Sequence, residues 1–308
     1  MVRYLAGRSA QALLTIFLVV ALTFVLARIA GDPSALLLPA TATEQDAAEF
    51  RRALGLDQPV AVQFAGYLAD LARLDFGNSL RSGGPAVDVI LERMPATLSL
   101  AGISLLVSLV LALGLGLVVE LTSSERLRSA ILGLALLREA IPVFVFGLLL
   151  VLIFGVQLRS LPFIGREGPA SYILPVATLS SLTLALYLRI LRSSFGAEEG
   201  QDYVRTALAK GASHRHVVVR ETLPNVLLPF VTTVAINLGY LVVGSVLVES
   251  VFSWPGVAYA VVEAVTQRDF PVIQAGVIAM AVVFVAVNLI ADLVIARLDP
   301  RVRLGGAA

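Results

Sequence analysis

"MPATLSLAGISLLVSLVLALGLGLVV", residues 94–119, runs for 26 positions between Arg93 and Glu120 without a single charge. A helix rising ~1.5 Å per residue needs about 20 apolar residues to cross a hydrocarbon core of roughly 30 Å. Five more uncharged runs of this kind flank it, at 9–27, 140–158, 168–188, 222–248 and 270–291, and the six measure 19 to 27 residues each. Lipid offers no partner to backbone N–H and C=O groups, which makes helices the economical way to span it. Buried helices of soluble proteins are usually shorter than these runs. The runs predict an all-α, polytopic membrane protein with six transmembrane helices.

Composition agrees with that class. Of the 308 residues, 58% are hydrophobic and only 15% charged, and the mean hydropathy is +0.89. Soluble domains carry about 25% charged residues. The absence of cysteine excludes disulfides, thiolate zinc sites and cysteine nucleophiles. A net charge of +1 argues against a nucleic-acid partner, which needs a concentrated basic surface. The first apolar run follows Arg3 and Arg8, as in a signal peptide. It is long for that role, and a cut after Ala30 would put Arg28 where a small residue is wanted. It is expected to stay as an uncleaved span.

Charge orients the spans. With both termini in the cytoplasm, segments 1–8, 122–129, 189–221 and 297–308 are internal. They hold most of the arginines and the only lysine, Lys210. The short external loops, 159–167 and 249–269, hold only Arg159, Arg166 and Arg268. The positive-inside rule favours this arrangement. The chain then divides into a cytoplasmic N-terminus with the first span (1–30), an extracytoplasmic helical cap (31–95) and a core with five spans (96–308).

Within the cap, Thr43-Glu44-Gln45-Asp46 reads as a helix start with acidic residues in its first turn. Phe50, Leu54 and Leu56 are expected to dock inward. Pro59 opens a further helix, and LDFGNSL (74–80) breaks it before an amphipathic run at 86–93. These helices either lie on the bilayer surface or dock an extracytoplasmic partner.

One polar interruption stands apart. "TALAKGASHRHVVVRETLP", 206–224, carries Lys210 and both histidines, His214 and His216, between two oily runs. Residues 197–210 are helix-compatible, with Val204, Ala207 and Leu208 on one face. Gly211 suits a left-handed helix end, and Ser213 is a candidate N-cap of a second short helix, which Pro224 closes. The stretch is either a solvated basic loop or two short helices projecting as a knuckle. His214 and His216, two positions apart, face different sides of a helix and lack companion ligands, which disfavours a metal site. Lys210 stands between Ala209 and Gly211, not in the Gly-Lys-Ser/Thr order of a phosphate-binding loop.

"DYVRTALAKGASHRHVVVRETLPNVLLPFV" (202–231) resembles the cytoplasmic coupling loop of permeases from ATP-binding-cassette importers. The family's Glu-Ala-Ala, glycine and Leu-Pro pattern falls on Arg205-Thr206-Ala207, Gly211 and Leu223-Pro224. The first two positions depart from the general consensus and resemble the peptide-importing version. MVRYLAGR (1–8), LGLDQP (54–59), FGNSL (76–80), RMPATLSL (93–100), VESVFSWPGV (248–257), RDFPVIQ (268–274) and LDPRVR (298–303) extend the likeness over nearly the whole chain.

That resemblance is to the first of two permease subunits in dipeptide/oligopeptide importers of bacterial inner membranes, a family that includes nickel importers. It implies a type I permease fold. It also implies that loop 192–224, including Asp202, Tyr203, Arg205, Thr206, Ala207, Lys210, Gly211, Leu223 and Pro224, couples to an ATPase. The implied partners are a second permease, two ATPase subunits that bind ATP and Mg, and an extracytoplasmic peptide-binding protein. This chain then needs no cofactor and is not itself an enzyme.

Polar groups in the spans are candidates for a translocation path or gate. Arg138 and Glu139 precede Pro142 in the third run, and intramembrane charges are functional hypotheses by default. Snorkelling of Arg138 to the interface is the alternative. Asn237, Glu249, Trp254, Asn288 and Asp292 complete the set; they either line the path or pack the two permeases together. Peptide is the favoured cargo, with nickel or another small solute as the alternative. A stand-alone ion-coupled carrier is a third reading, but inverted repeats and mid-membrane charges are not evident.

Overall fold

The computed structural model describes residues 2–29, 43–53 and 57–298. Twelve α-helices are resolved among them. They are α1 (Val2–Ile29), α2 (Glu44–Ala53), α3 (Val60–Leu71), α4 (Ala86–Leu121), α5 (Glu125–Ala140), α6 (Val143–Leu150), α7 (Ile173–Glu199), α8 (Asp202–Ala209), α9 (His214–His216), α10 (Leu223–Val251), α11 (Val257–Gln267) and α12 (Phe270–Leu298). The one β pairing among the described residues is an isolated bridge, Asn78 to Pro85. Five helical stretches are long and apolar enough to cross a membrane: Gly7–Ile29, Ala86–Leu121, Pro169–Glu199, His214–Val251 and Phe270–Arg297.

The sixth span departs from expectation. Of run 140–158, residues 143–157 form one short continuous arm, α6 prolonged by a π-helical stretch Val151–Gln157, and this arm meets α5 at a 107° bend. The cause is local. Pro142 has no amide to donate, and the residue before a proline is pushed to extended backbone, as Ile141 shows with φ −89 and ψ 123. Neither arm alone is long enough, since 16 helical residues reach only ~24 Å. The bent pair makes a sixth candidate span, broken at Pro142.

Two further expectations are corrected. Residues 86–93, expected as an amphipathic run of the cap that lies on the bilayer surface or docks a partner, form the first turns of α4, which continues through Pro95. Pro224 does not close the short helix after Ser213. It sits in the first turn of α10, directly after a π-helical stretch Val217–Thr222, and the backbone runs helical from His214 to Val251. The widened turn and the first-turn position remove the need for an amide at 224. Other local readings hold: Thr43 and Asp46 bond reciprocally, with the Asp46 amide donating to Thr43 Oγ1 at 3.2 Å and the Thr43 amide donating to Asp46 Oδ2 at 2.8 Å. Pro59 N-caps α3. Leu54, Leu56 and the Phe50 side chain lie outside the described set.

The contacts divide the chain into two compact units. One is built mainly on Ala96–Pro255. Its core gathers Leu100, Leu174, Leu179, Leu241, Phe252 and Trp254 at one place, and Tyr187, Leu191, Phe195, Val226 and Phe230 at another. Helices approach closely here. A Cβ on Gly244 would stand 2.8 Å from Leu182 Cδ2 and 3.0 Å from Leu179 Cδ1, so α7 and α10 pack closely here and a larger residue would have to move those leucine side chains. Small residues serve this purpose where lipid supplies no hydrophobic drive between helices. The other unit is built on Gly7–Pro95 and Gly256–Val285. Its core joins Ala86 and Ile90 of α4 to Val257, Ala260 and Ala264 of α11 and to Val272 and Ala275 of α12.

Candidate functional site

The polar interruption folds as a braced elbow. Helix α7 ends at Glu199, Gln201 turns extended with φ −74 and ψ 146, and α8 begins at Asp202. The helix expected over 197–210 is thus broken at Gly200. At the other end of α8, the Gly211 amide donates to Leu208 O at 2.9 Å and the Ala212 amide to Ala207 O at 3.1 Å. These two bonds form a Schellman cap. Its left-handed position is Gly211, at φ +87, with open space where a Cβ would point. Ser213 then starts the next helix as expected, its Oγ accepting from the His216 amide at 3.3 Å.

Tyr203 ties the two arms together. Its hydroxyl donates to Glu198 at the end of α7 and accepts from Asn225 Nδ2 at 3.2 Å in the first turn of α10. Desolvation, and then the hydrogen bond to the Glu198 carboxylate, push the phenol above its ordinary range. It stays a neutral donor at physiological pH. Glu198 and Asn225 escaped the sequence reading because the three groups are brought together by the turn at Gly200. Val204 is buried beneath the elbow, whereas Leu208, placed by sequence on the same face as Val204, is 46% exposed.

Asp202, Arg205, Thr206, Lys210, Gly211 and Pro224 all present exposed surface, and Ala207 and Leu223 are half-buried. The elbow therefore offers a polar outer face on a backbone held by a cap, a brace and a buried valine. His216 Nε2 lies 3.9 Å from Glu221, and no metal-holding cluster of histidine and carboxylates occurs among the described residues.

The intramembrane candidates fall in separate places. Arg138, Glu139 and Pro142 gather at the bend of the broken span. Arg138 turns inward: Nε donates to Ser181 Oγ at 2.7 Å, Nη1 to Ile141 O at 2.9 Å, and the guanidinium lies 4.4 Å from the Phe146 ring centroid. It thus caps the interrupted end of α5 and joins it to α7. Glu139 reaches α7 independently through an exposed ion pair with Arg189 at 2.7 Å.

Asn237 Nδ2 donates to Thr233 O of its own helix at 2.8 Å. Glu249, 12 positions further along α10 and so ~18 Å away, is 0% exposed and accepts from Thr97 Oγ1 at 2.7 Å. Trp254 is also 0% exposed, with Nε1 donating to Ala96 O at 3.0 Å and Tyr172 edge-on at 4.6 Å. Asn288 and Asp292 are half-buried on α12. Thr97, Ser181 and Arg189 were not picked out by sequence, since partners 43 to 152 positions away leave no local signal.

With this geometry in hand, comparison with known proteins identifies the class. Solved structures share the fold. A structure titled as inward-facing conformations of the MetNI methionine ABC transporter matches with TM-score 0.58 at 15% identity, over 68% of this chain and 96% of that one. An amino acid ABC transporter solved with histidines matches with TM-score 0.54 at 16% identity, over 68% and 94%. The probable peptide ABC transporter permease protein y4tP of Sinorhizobium fredii (strain NBRC 101917 / NGR234) is 34% identical over 97% of this chain and 99% of its own length. The glutathione transport system permease protein GsiC of Salmonella choleraesuis (strain SC-B67) is 35% identical over 98% and 99%. Two family profiles divide the chain, the N-terminal membrane component of binding-protein-dependent transport systems over residues 1–101 and the inner membrane component over 96–304. The chain therefore belongs to the binding-protein-dependent transport system inner membrane component family, as a multi-pass inner-membrane permease of an ATP-binding-cassette importer.

Proposed function

We propose that this chain is the first of two permease subunits of a di- or oligopeptide importer. The cargo is delivered by an extracytoplasmic solute-binding protein and passes between the two permeases. Two separate ATPase chains, which hold ATP and Mg, drive the cycle; this chain holds no cofactor. Both termini and the elbow at 192–224 face the cytoplasm, as the arginine distribution favours.

The observation that carries the coupling role is the braced elbow. Force passes between subunits through packed contacts with discrete geometry, not through slack chain. An elbow fixed by a left-handed glycine cap and a tyrosine tying α7 to α10 moves with both helices at once. Its exposed face, from Asp202 to Lys210, then seats in a groove of the ATPase, and Leu223-Pro224 carries the motion into α10. The relatives, a probable peptide permease and a glutathione permease, support a short peptide as cargo. The test is uptake of labelled di- and tripeptides by a strain deleted for this chain and complemented with it. Restored uptake, competed by unlabelled peptide, supports the reading. Uptake that is unaffected by the deletion, or competed only by nickel, sinks it.

A further inference from the structure

Two motifs of the family resemblance, FGNSL (76–80) and RDFPVIQ (268–274), take no part in the elbow, yet they meet inside the unit built on Gly7–Pro95 and Gly256–Val285. Ser79 Oγ donates to Asp269 Oδ2 at 2.6 Å across 190 positions of sequence. The same Oγ accepts the amides of Arg81 at 3.2 Å and Ser82 at 3.0 Å, while the Ser79 amide donates to Gly84 O at 2.8 Å. The hydroxyl is thus locked in a tight turn with its one hydrogen committed to Asp269.

The other carboxylate oxygen is different. Asp269 is 3% exposed, and its Oδ1 is buried without a hydrogen-bond partner among the described residues. Ser79 and Asp269 both line a pocket of about 370 Å³, whose wall also carries Arg81, Arg93, Glu263 and Gln267. That volume lies in the range of small-molecule sites, roughly 300–1,000 Å³. A buried acceptor left unmet is destabilising, more so on an ionisable group, and in a native fold it calls for an explanation.

The lining chooses among donors. A bare metal ion is opposed by two guanidinium groups on the same wall, and the carboxylates Asp269 and Glu263 equally oppose a simple anion. A molecule with a positive and a negative end meets both sets. A primary ammonium brings three N–H donors and no acceptor, which suits the carboxylates of Asp269 and Glu263. A free carboxylate suits the forked donors of Arg81 or Arg93.

We infer that this pocket, formed where FGNSL meets RDFPVIQ, binds a small zwitterion of free-peptide type, with its ammonium toward the Asp269 and Glu263 carboxylates and its carboxylate toward Arg81 and Arg93. It is a site within this single chain, separate from the elbow and from the charged bend at Pro142. The inference rests on the peptide-import reading and gives it a second point of cargo contact besides the solute-binding protein.

The test uses the full chain in lipid nanodiscs, without the solute-binding protein, titrated calorimetrically with Ala-Ala, N-acetyl-Ala-Ala and Ala-Ala-amide. Ala-Ala should bind, and masking either end should weaken binding about tenfold or more, the loss of one charge-assisted bond. Asp269→Asn should weaken Ala-Ala similarly while leaving the residual binding of N-acetyl-Ala-Ala unchanged. Should Asp269→Asn fail to fold, the masked peptides on the native chain and Arg81→Gln carry the same comparison. No binding of Ala-Ala, or binding indifferent to masking and to both substitutions, overturns the inference. Peptide uptake by complemented cells in that case would leave the transport reading standing, and absent uptake would remove both.

Discussion

Replacing Gly211 with valine tests the elbow most directly. At φ +87 the residue stands in the left-handed region, and an added Cβ would meet nothing within 4 Å. The penalty is therefore backbone strain alone, about 1–2 kcal/mol for an L-residue and toward the upper end for a β-branched one. The chain can relieve it by giving up the two cap bonds, from Gly211 to Leu208 and from Ala212 to Ala207, each worth about 0.5–1.5 kcal/mol net. Strain and relief are comparable, so the capped elbow should lose ground to open forms by a factor of about 5–30. The spans, held by bilayer and by one another, should not notice. The complete transporter carrying Gly211→Val should insert at wild-type yield but retain less ATPase on purification, or hydrolyse more ATP per peptide moved. Amide exchange at 211 and 212 should accelerate in parallel. Gly211→Asn, which tolerates the left-handed region, should recover most of the coupling. Wild-type coupling in Gly211→Val, with unchanged exchange at those amides, would refute the mechanism.

Other outcomes follow from the same structure. Arg205→Ala should disturb coupling less than Gly211→Val, because an exposed side chain off the family consensus offers at most a rim charge to the ATPase; ATPase co-purification compares the two. Gly244→Ala should displace the Leu179 and Leu182 side chains and destabilise the chain by at most about 1 kcal/mol, the low end of overpacking, read as a slightly lower Tm in detergent. Gly102→Ala, with nothing within 4 Å of the new Cβ and a better helix former in the interior of α4, should keep Tm at or slightly above the wild-type value. The Glu139–Arg189 pair is exposed, so a double-mutant cycle should return a coupling of about 0–1 kcal/mol in stability; a path role for Glu139 would show instead as lost uptake in Glu139→Leu with normal assembly. The Tyr203 phenol is raised, so the brace is fully present below the ordinary tyrosine range and is lost only as pH rises through the folded value. Amide protection at the elbow should therefore hold flat from neutral pH to the onset of tyrosine ionisation, and Tyr203→Phe should lower it at every pH. The purified chain should neither bind nor hydrolyse ATP, and hydrolysis surviving removal of contaminating ATPases would count against the assignment.

What sequence alone determined here is whatever a bilayer or a local turn dictates. Uncharged runs of about 20 residues have one economical solution in lipid, so the spans could be read directly and five of the six lie within helices of the expected kind. Gly211, Ser213, Pro59 and the Thr43–Asp46 pair were legible for the same reason, since caps and turns use neighbours within a few positions. Tertiary structure decided the rest. Pro142 is visible in sequence, but only packing of α5 and α6 against α7, with Arg138 closing the broken end onto Ser181, settles a 107° bend in place of a mild kink. Pro224 reads as a helix stop, and a π-helical turn before it let the helix continue. Tyr203 with Asn225, Thr97 with Glu249 and Ser79 with Asp269 lie 22, 152 and 190 positions apart. A single sequence records nothing of such pairs, because a hydrogen bond between distant segments depends on where the helices carry its two ends, and that is a property of the packed chain.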